Sequence, residues 1–179
     1  RARLQRPEQA GSGRRIRGTA DHAAVAEIAA IRPDAVIVKG DLSQDGTDDE
    51  WAAFEACYRT AFGDRLFVVR GNHDAYRGQH GYAGDRWITV PGLHVALLDT
   101  AIPTVTTGGL RDEQLAWLDD HLAGASASGE RTVVMGHHQQ WIAVGDGPER
   151  RHDDYFGLHP DASDALDAAC ARHATVLGY

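Results

Sequence analysis

Three short, almost wholly apolar runs rich in valine, at 35–38, 66–69 and 132–135, alternate along the chain with stretches of helical periodicity. A run of that kind predicts a strand covered on both faces. Helices must supply the cover, so the chain reads as an α/β domain built on largely parallel sheet. Two further runs, 87–90 and 93–98, flank Pro91-Gly92 and predict an antiparallel hairpin. A first helix is expected to start at Thr19 as N-cap, with Val25, Ile28 and Ala29 on one face and Pro33 after its end. Thr47-Asp48-Asp49-Glu50 fits a capping box, and Trp51, Phe54, Tyr58 and Phe62 line one face of the helix it opens. A third helix follows Gly108-Gly109 with Leu115, Leu118 and Leu122 on one side. A fourth is expected over 161–173, and 174–179 reads as a strand cut short.

At 179 residues the chain fits one domain, and its two cysteines, Cys57 and Cys170, lie too far apart for a disulfide framework or a cysteine zinc cluster. Thiols without such a role suggest a reducing compartment, hence a cytoplasmic location. The apolar runs are too short to span a membrane. Six arginines against Glu8 give residues 1–18 a balance of +5 within an overall −8, which leaves −13 for the rest. We read 1–18 as a basic, solvated arm without the apolar core of a signal peptide, and 19–179 as the folded domain. The acidic balance of that domain argues against long nucleic acids as partners. Nothing in the pattern bears on the oligomeric state.

Each of three strands ends in a glycine-led polar cluster: Gly40-Asp41, Gly71-Asn72-His73-Asp74 and Gly136-His137-His138. In open α/β sheets the carboxyl ends of strands face the ligand crevice. Glycine directly after a strand lets the backbone turn sharply and bring the next side chain to the rim. Any one of these clusters would be an ordinary turn. Three of them, each at a strand end, predict a shared site. Carboxylate, amide oxygen and imidazole together suit a borderline divalent ion such as Mn, Fe or Zn.

On these motifs the chain resembles the calcineurin-like metallophosphoesterases, from about residue 35 to 135 and the loop beyond, with support from Gly109-Leu110 and residues 114–118. Gly40-Asp41-Leu42-Ser43-Gln44-Asp45-Gly46 is most similar to the branch holding cyclic-nucleotide and glycerophosphodiester phosphodiesterases. The resemblance implies an α/β/β/α sandwich, with mixed, largely parallel sheets flanked by helices. It also implies hydrolysis of a small phosphodiester by a metal-activated water at a dinuclear site. Asp41 would bridge two divalent ions, and Asn72 and His137 would bind the second. His73 would act on the substrate, as proton donor to the leaving oxygen or as charge stabiliser, with Asp74 orienting it by a hydrogen bond. His138 would line the substrate pocket. Two cations about 3.5–4 Å apart neutralise phosphoryl charge and lower the pKa of water from 15.7 towards about 7, which an unreactive phosphoester needs. A phosphomonoesterase, a nuclease, or a metal-poor scaffold of the same fold are the alternatives.

Two of the family's motifs do not stand at their expected places in these residues: an Asp-x-His at the end of a first strand, and a final Gly-His-x-His. We expect them in flanking sequence, with a further segment or chain covering the strand edge left open. The polar, aromatic loop at 139–159, with Trp141, His152, Asp153, Asp154, Tyr155, Phe156 and His159, is a candidate cap for the pocket. Arg70 is expected at the surface, within possible reach of a phosphate. No P-loop, EF-hand or nucleophile elbow is present.

Overall fold

The computed structural model describes residues 12–77, 80–140 and 156–179. Helix α1 (Ser12–Ile31) precedes strand β1 (Val36–Val38). Helix α2 (Asp48–Phe54) continues through a π-helical turn (Glu55–Arg59) into the short α3 (Thr60–Phe62). Strand β2 (Leu66–Val68) and the one-turn α4 (Asn72–Ala75) follow. The second half runs β3 (Arg86–Val90), β4 (Leu93–Leu98), α5 (Asp112–Ser128), β5 (Thr132–Gly136), α6 (Pro160–Ala171) and β6 (Val176–Gly178). Strands β1 and β2 pair in parallel as one sheet. The other has the order β3-β4-β5-β6, antiparallel only at the hairpin.

The period-two alternation of each strand decides what its two faces touch. Val36 and Val38 of β1, with Leu66 and Val68 of β2, pack against Val25, Phe54 and Phe62 of the helices. Their alternate neighbours Ile37 and Phe67 turn the other way, onto Val95, Leu97 and Met135 of the larger sheet. The opposite face of that sheet, Ala96, Leu98 and Val134, is covered by Leu118 and Leu122 of α5 and Leu166 of α6. The layers are therefore helices, two-stranded sheet, four-stranded sheet, helices, the expected α/β/β/α sandwich. This stacking sets the strand ends of β1 and β2 beside that of β5.

Helix α1 starts at Ser12, ahead of the expected cap at Thr19 and inside the stretch read as an arm. Arg14, Arg15, Ile16 and Arg17 are adequate helix formers, and a threonine does not stop a helix already under way. The capping box is formed: the Thr47 side chain accepts from the Glu50 amide while Glu50 reaches back to the Thr47 amide. Trp51, Phe54, Tyr58 and Phe62 advance in steps of three, four and four residues. The π turn, wider than an α turn, keeps Tyr58 and Phe62 on the packed side. Of the loop expected as a cap, residues 141–155, which include Trp141, His152, Asp153, Asp154 and Tyr155, lie outside the described residues.

Glu50 also accepts the amides of Gln44 and Asp45, at 3.2 and 3.1 Å. Burial pushes its carboxyl up, but the hydrogen bonds from Thr47, Asp45 and Gln44 outweigh that and hold it below its ordinary value of 4.5. A depressed native pKa gives stability that is present above the ordinary value and disappears as pH falls through the native one. Urea unfolding should therefore show Glu50→Gln less stable than the parent at neutral pH, with the gap closing in acid below 4.5. Thr47→Ala should lose about 1 kcal/mol through the missing cap.

Candidate functional site

Beyond β1 the backbone turns at Gly40 (φ 91°) and Asp41 (φ 53°), both in the left-handed region. Aspartate is among the few residues that tolerate it. The turn after β2 presses against this one. A Cβ on Gly40 would stand 2.5 Å from the Gly71 amide nitrogen and 2.6 Å from His137 Nδ1. A Cβ on Gly71 would stand 2.5 Å from the Asp41 nitrogen and overlap the Asp41 carboxylate. Only glycine fits either position. At the end of β5, Gly136 is crowded by side chains instead, since a Cβ there would lie 2.5 Å from Tyr179 Oη. That hydroxyl donates to the His138 carbonyl at 2.6 Å.

Three predicted residues meet at this junction. His137 Nε2 lies 3.2 Å from Asn72 Oδ1 and 3.5 Å from Asp41 Oδ1. The other ring nitrogen, Nδ1, is 2.6 Å from the Lys39 carbonyl, which can only accept, so Nδ1 carries the proton. The remaining nitrogen, Nε2, then faces two acceptors, an amide oxygen and a carboxylate. The Asn72 amide is held in that sense because its Nδ2 donates to Tyr76 Oη at 3.0 Å. Lone pairs converging in this way are satisfied by a second proton on His137 or by a cation. The donor set, one carboxylate, one amide oxygen and one imidazole, fits a borderline divalent ion. Among the described residues no three of His, Cys, Asp or Glu gather closely enough to hold a metal, so Asn72 is essential to this set.

His73 lies beside it. Its amide donates to Asp41 Oδ1 at 3.3 Å; its Nδ1 lies 2.7 Å from the Gln44 carbonyl and 3.4 Å from Gln44 Nε2, and the much shorter contact, to an acceptor, makes Nδ1 the donor. Nε2 is then the nitrogen left to exchange a proton with a ligand. His73, Asp41, Gln44 and Asp45 line a cleft of about 1210 Å³ that extends past Tyr58 to His22 of α1. A small phosphoester is well within that size.

Three expected roles change. Asp74 does not bond the His73 ring. It is fully buried, and its carboxylate accepts from Gly71 N (2.7 Å), Leu42 N (3.2 Å), Ser43 N (2.9 Å) and Ser43 Oγ (2.7 Å). Its reach is taken up by the backbone of the two turns. His138 does not line the cleft: it is 2 % exposed, with Nδ1 against Thr100 Oγ1 at 2.8 Å and Nε2 against the Thr106 carbonyl at 3.2 Å. Burial, aided by the neighbouring His137, pushes its imidazole down to about 4, which keeps it neutral. Arg70 is buried rather than at the surface, and pairs with Asp99 through Nε and Nη2 at 3.1 Å.

The residues absent from the expected set are Ser43, Gln44 and Tyr76. Tyr76 stands four positions after Asn72, a spacing that reveals a contact only once 72–75 is known to be helical. Ser43 and Gln44 lie in the run that carries the family resemblance, but nothing in it gives either of them a role of its own.

An α/β sandwich whose strand ends gather a carboxylate, an amide and an imidazole, with the carboxylate also lining a cleft, defines a phosphoesterase-type fold with a candidate cation site. The sequence matches the family model of the calcineurin-like phosphoesterases over residues 19–170, and the chain belongs to that family. It is 29% identical over 132 residues to a protein of Synechococcus sp. named a probable cyclic nucleotide phosphodiesterase, covering 65% of this chain and 50% of the relative. It is 29% identical over 120 residues to a cAMP/cGMP dual specificity phosphodiesterase of Mycobacterium tuberculosis, covering 60% and 37%. The matches thus span half or less of these relatives' length. Among solved structures, a dimetal phosphatase from Danio rerio superposes with a TM-score of 0.69 at 16% identity, over 89% of this chain and 69% of that one. That likeness is one of fold.

Gly71→Ala should lower stability by more than about 2 kcal/mol, because the atoms it meets include backbone that cannot swing aside. Gly124→Ala, within α5 and with open space around it, should be neutral or stabilising by up to about 1 kcal/mol. Denaturant midpoints of the two variants check the contrast.

Proposed function

We propose that the protein is a metal-dependent phosphoesterase that hydrolyses a small phosphodiester with water. Asp41, Asn72 and His137 hold divalent cations, two of them in the complete site, and His73 acts on the substrate. The observation that carries this reading is that His137 Nε2 lies within 3.2 Å of the Asn72 amide oxygen and 3.5 Å of the Asp41 carboxylate. Bound divalent ions supply charge neutralisation for the phosphoryl oxygens and make water acidic enough to attack phosphorus. Asn72 contributes an oxygen without charge, so the site keeps a net attraction for an anion even in an acidic domain. Because Nδ1 of His73 donates to the Gln44 carbonyl, Nε2 is the nitrogen left to take up a proton and pass it to the leaving oxygen.

The diester preference is supported by the cyclic-nucleotide relatives. Cys57 and Cys170 are both free thiols, in keeping with a cytoplasmic location. Among the described residues, no helix is long and apolar enough to cross a membrane. A second reading, a metal-poor scaffold of the same fold, is favoured by the lack of any three clustered His, Cys, Asp or Glu among the described residues.

Metal analysis of the full-length protein, combined with hydrolysis of bis-p-nitrophenyl phosphate, separates the two readings. Close to two ions per chain with turnover is the expected result, and a metal-free, inert protein supports the scaffold. Faster turnover of p-nitrophenyl phosphate on the same sample would reverse the diester preference. Asp41→Asn should lose metal and activity together. His73→Ala should keep the metal while turnover drops by roughly 10²–10⁴-fold, as for loss of an acid–base group. Loss of metal from His73→Ala would make His73 a ligand instead.

A further inference from the structure

Between β1 and α2 the backbone amides of residues 42–47 make no sheet bonds, and all six are accepted by just three side chains. Leu42 and Ser43 donate to Asp74, Gln44, Asp45 and Thr47 to Glu50, and Gly46 to Ser43 Oγ at 3.1 Å. The Ser43 hydroxyl is the link between the two ends of the turn, because it also donates to Asp74 Oδ1 at 2.7 Å. Gly46 (φ +66°) lies against α4, where a Cβ would approach the carbonyls of His73 and Asp74 at 3.1 Å. Between these anchors stands Gln44, whose carbonyl receives the His73 Nδ1 proton. The Asp45 carbonyl takes Arg77 Nε at 2.9 Å and fixes the outer side of the same turn.

We propose that Ser43 is a positioning residue for His73: by bridging Asp74 and the Gly46 amide, its hydroxyl holds the Gln44 carbonyl where it fixes the ring proton on Nδ1. The functional value rests on the phosphoesterase reading, in which Nε2 faces the substrate. A ring whose Nδ1 proton is not held can carry it on Nε2 in the neutral form, where Nε2 has no lone pair to take up a proton and the N–H is a far weaker acid than that of an imidazolium. Without the hydroxyl the Gly46 amide and one Asp74 lone pair lose their partner in a buried place, and the turn that carries Gln44 loosens. The distances involved lie wholly within the chain and need no bound ion.

Proton–nitrogen correlation of isotope-labelled histidine in the metal-free protein tests this at about pH 8, where an ordinary imidazole is neutral. The His73 signals are identified by their loss in His73→Gln. The parent should show the Nδ1–H form alone. Ser43→Ala should raise the Nε2–H population by roughly tenfold, the scale one hydrogen bond imposes, and Ser43→Thr should restore the parent pattern. If Ser43→Ala does not fold by circular dichroism, Ser43→Cys, with a weaker donor of similar shape, should give a smaller shift in the same direction. A parent already in the Nε2–H form, or a folded Ser43 variant with the parent's tautomer, overturns the proposal. Failure of the diester assay would instead overturn the phosphoesterase reading, and the tautomer measurement is independent of it.

Discussion

Backbone meets backbone at Gly40 and Gly71, and the remainder of the site is arranged around that contact. Two turns pass so closely that neither has room for a Cβ, and the imidazole of His137 lies over both. The approach joins two layers of the sandwich. Asp41 and Asn72 come from the ends of β1 and β2 in the smaller sheet, whereas His137 follows β5 in the larger one. Their convergence therefore depends on how the two sheets stack, and the packing of Ile37 and Phe67 against Val95, Leu97 and Met135 sets that stacking. Close-packed interiors transmit small displacements, so the core between the sheets is in effect part of the site's support.

Such tight turns cannot use ladder hydrogen bonds, and buried carboxylates take their place. Asp74 is fully buried, a costly location for a charge, and is tolerated there because four donors surround it. Asp99 plays a comparable part further round the rim: it pairs with Arg70 and accepts the Gly84 amide at 2.9 Å. Asp85 and Gln114 continue the network, with Gln114 Nε2 donating to Asp85 at 2.7 Å and to the Asp99 carbonyl at 3.0 Å. Each acidic group near the cleft other than Asp41 that accepts several amides is thereby committed to shaping backbone. The Asp41 carboxylate, still partly open to solvent, lines the cleft together with Asp45.

Much of this was legible in the residues. Apolar runs at 35–38, 66–69 and 132–135 marked strands, since both faces of each are covered, and the glycine-led clusters marked their ends. Asp41, Asn72 and His137 were identified by type and position and do come together. The start of α1 was misplaced because capping residues also occur inside helices, where neighbours of good propensity carry the helix through. Asp74 bonds the turn rather than the expected His73 ring because adjacency in sequence says nothing of which way a carboxylate points in a short helix.

Local chemistry, then, was enough to name the strands, the capping box at Thr47 and the residue types gathered at the rim, because period, glycine position and donor type are properties of short segments. Long-range packing alone decided that His138 is buried while its neighbour His137 faces Asn72, that Arg70 turns inward to Asp99, and that Asp74 serves the loop at 42–43 rather than the ring beside it. Each of those outcomes depends on groups about thirty or more positions away, which no local pattern encodes and which burial obliges to find one another.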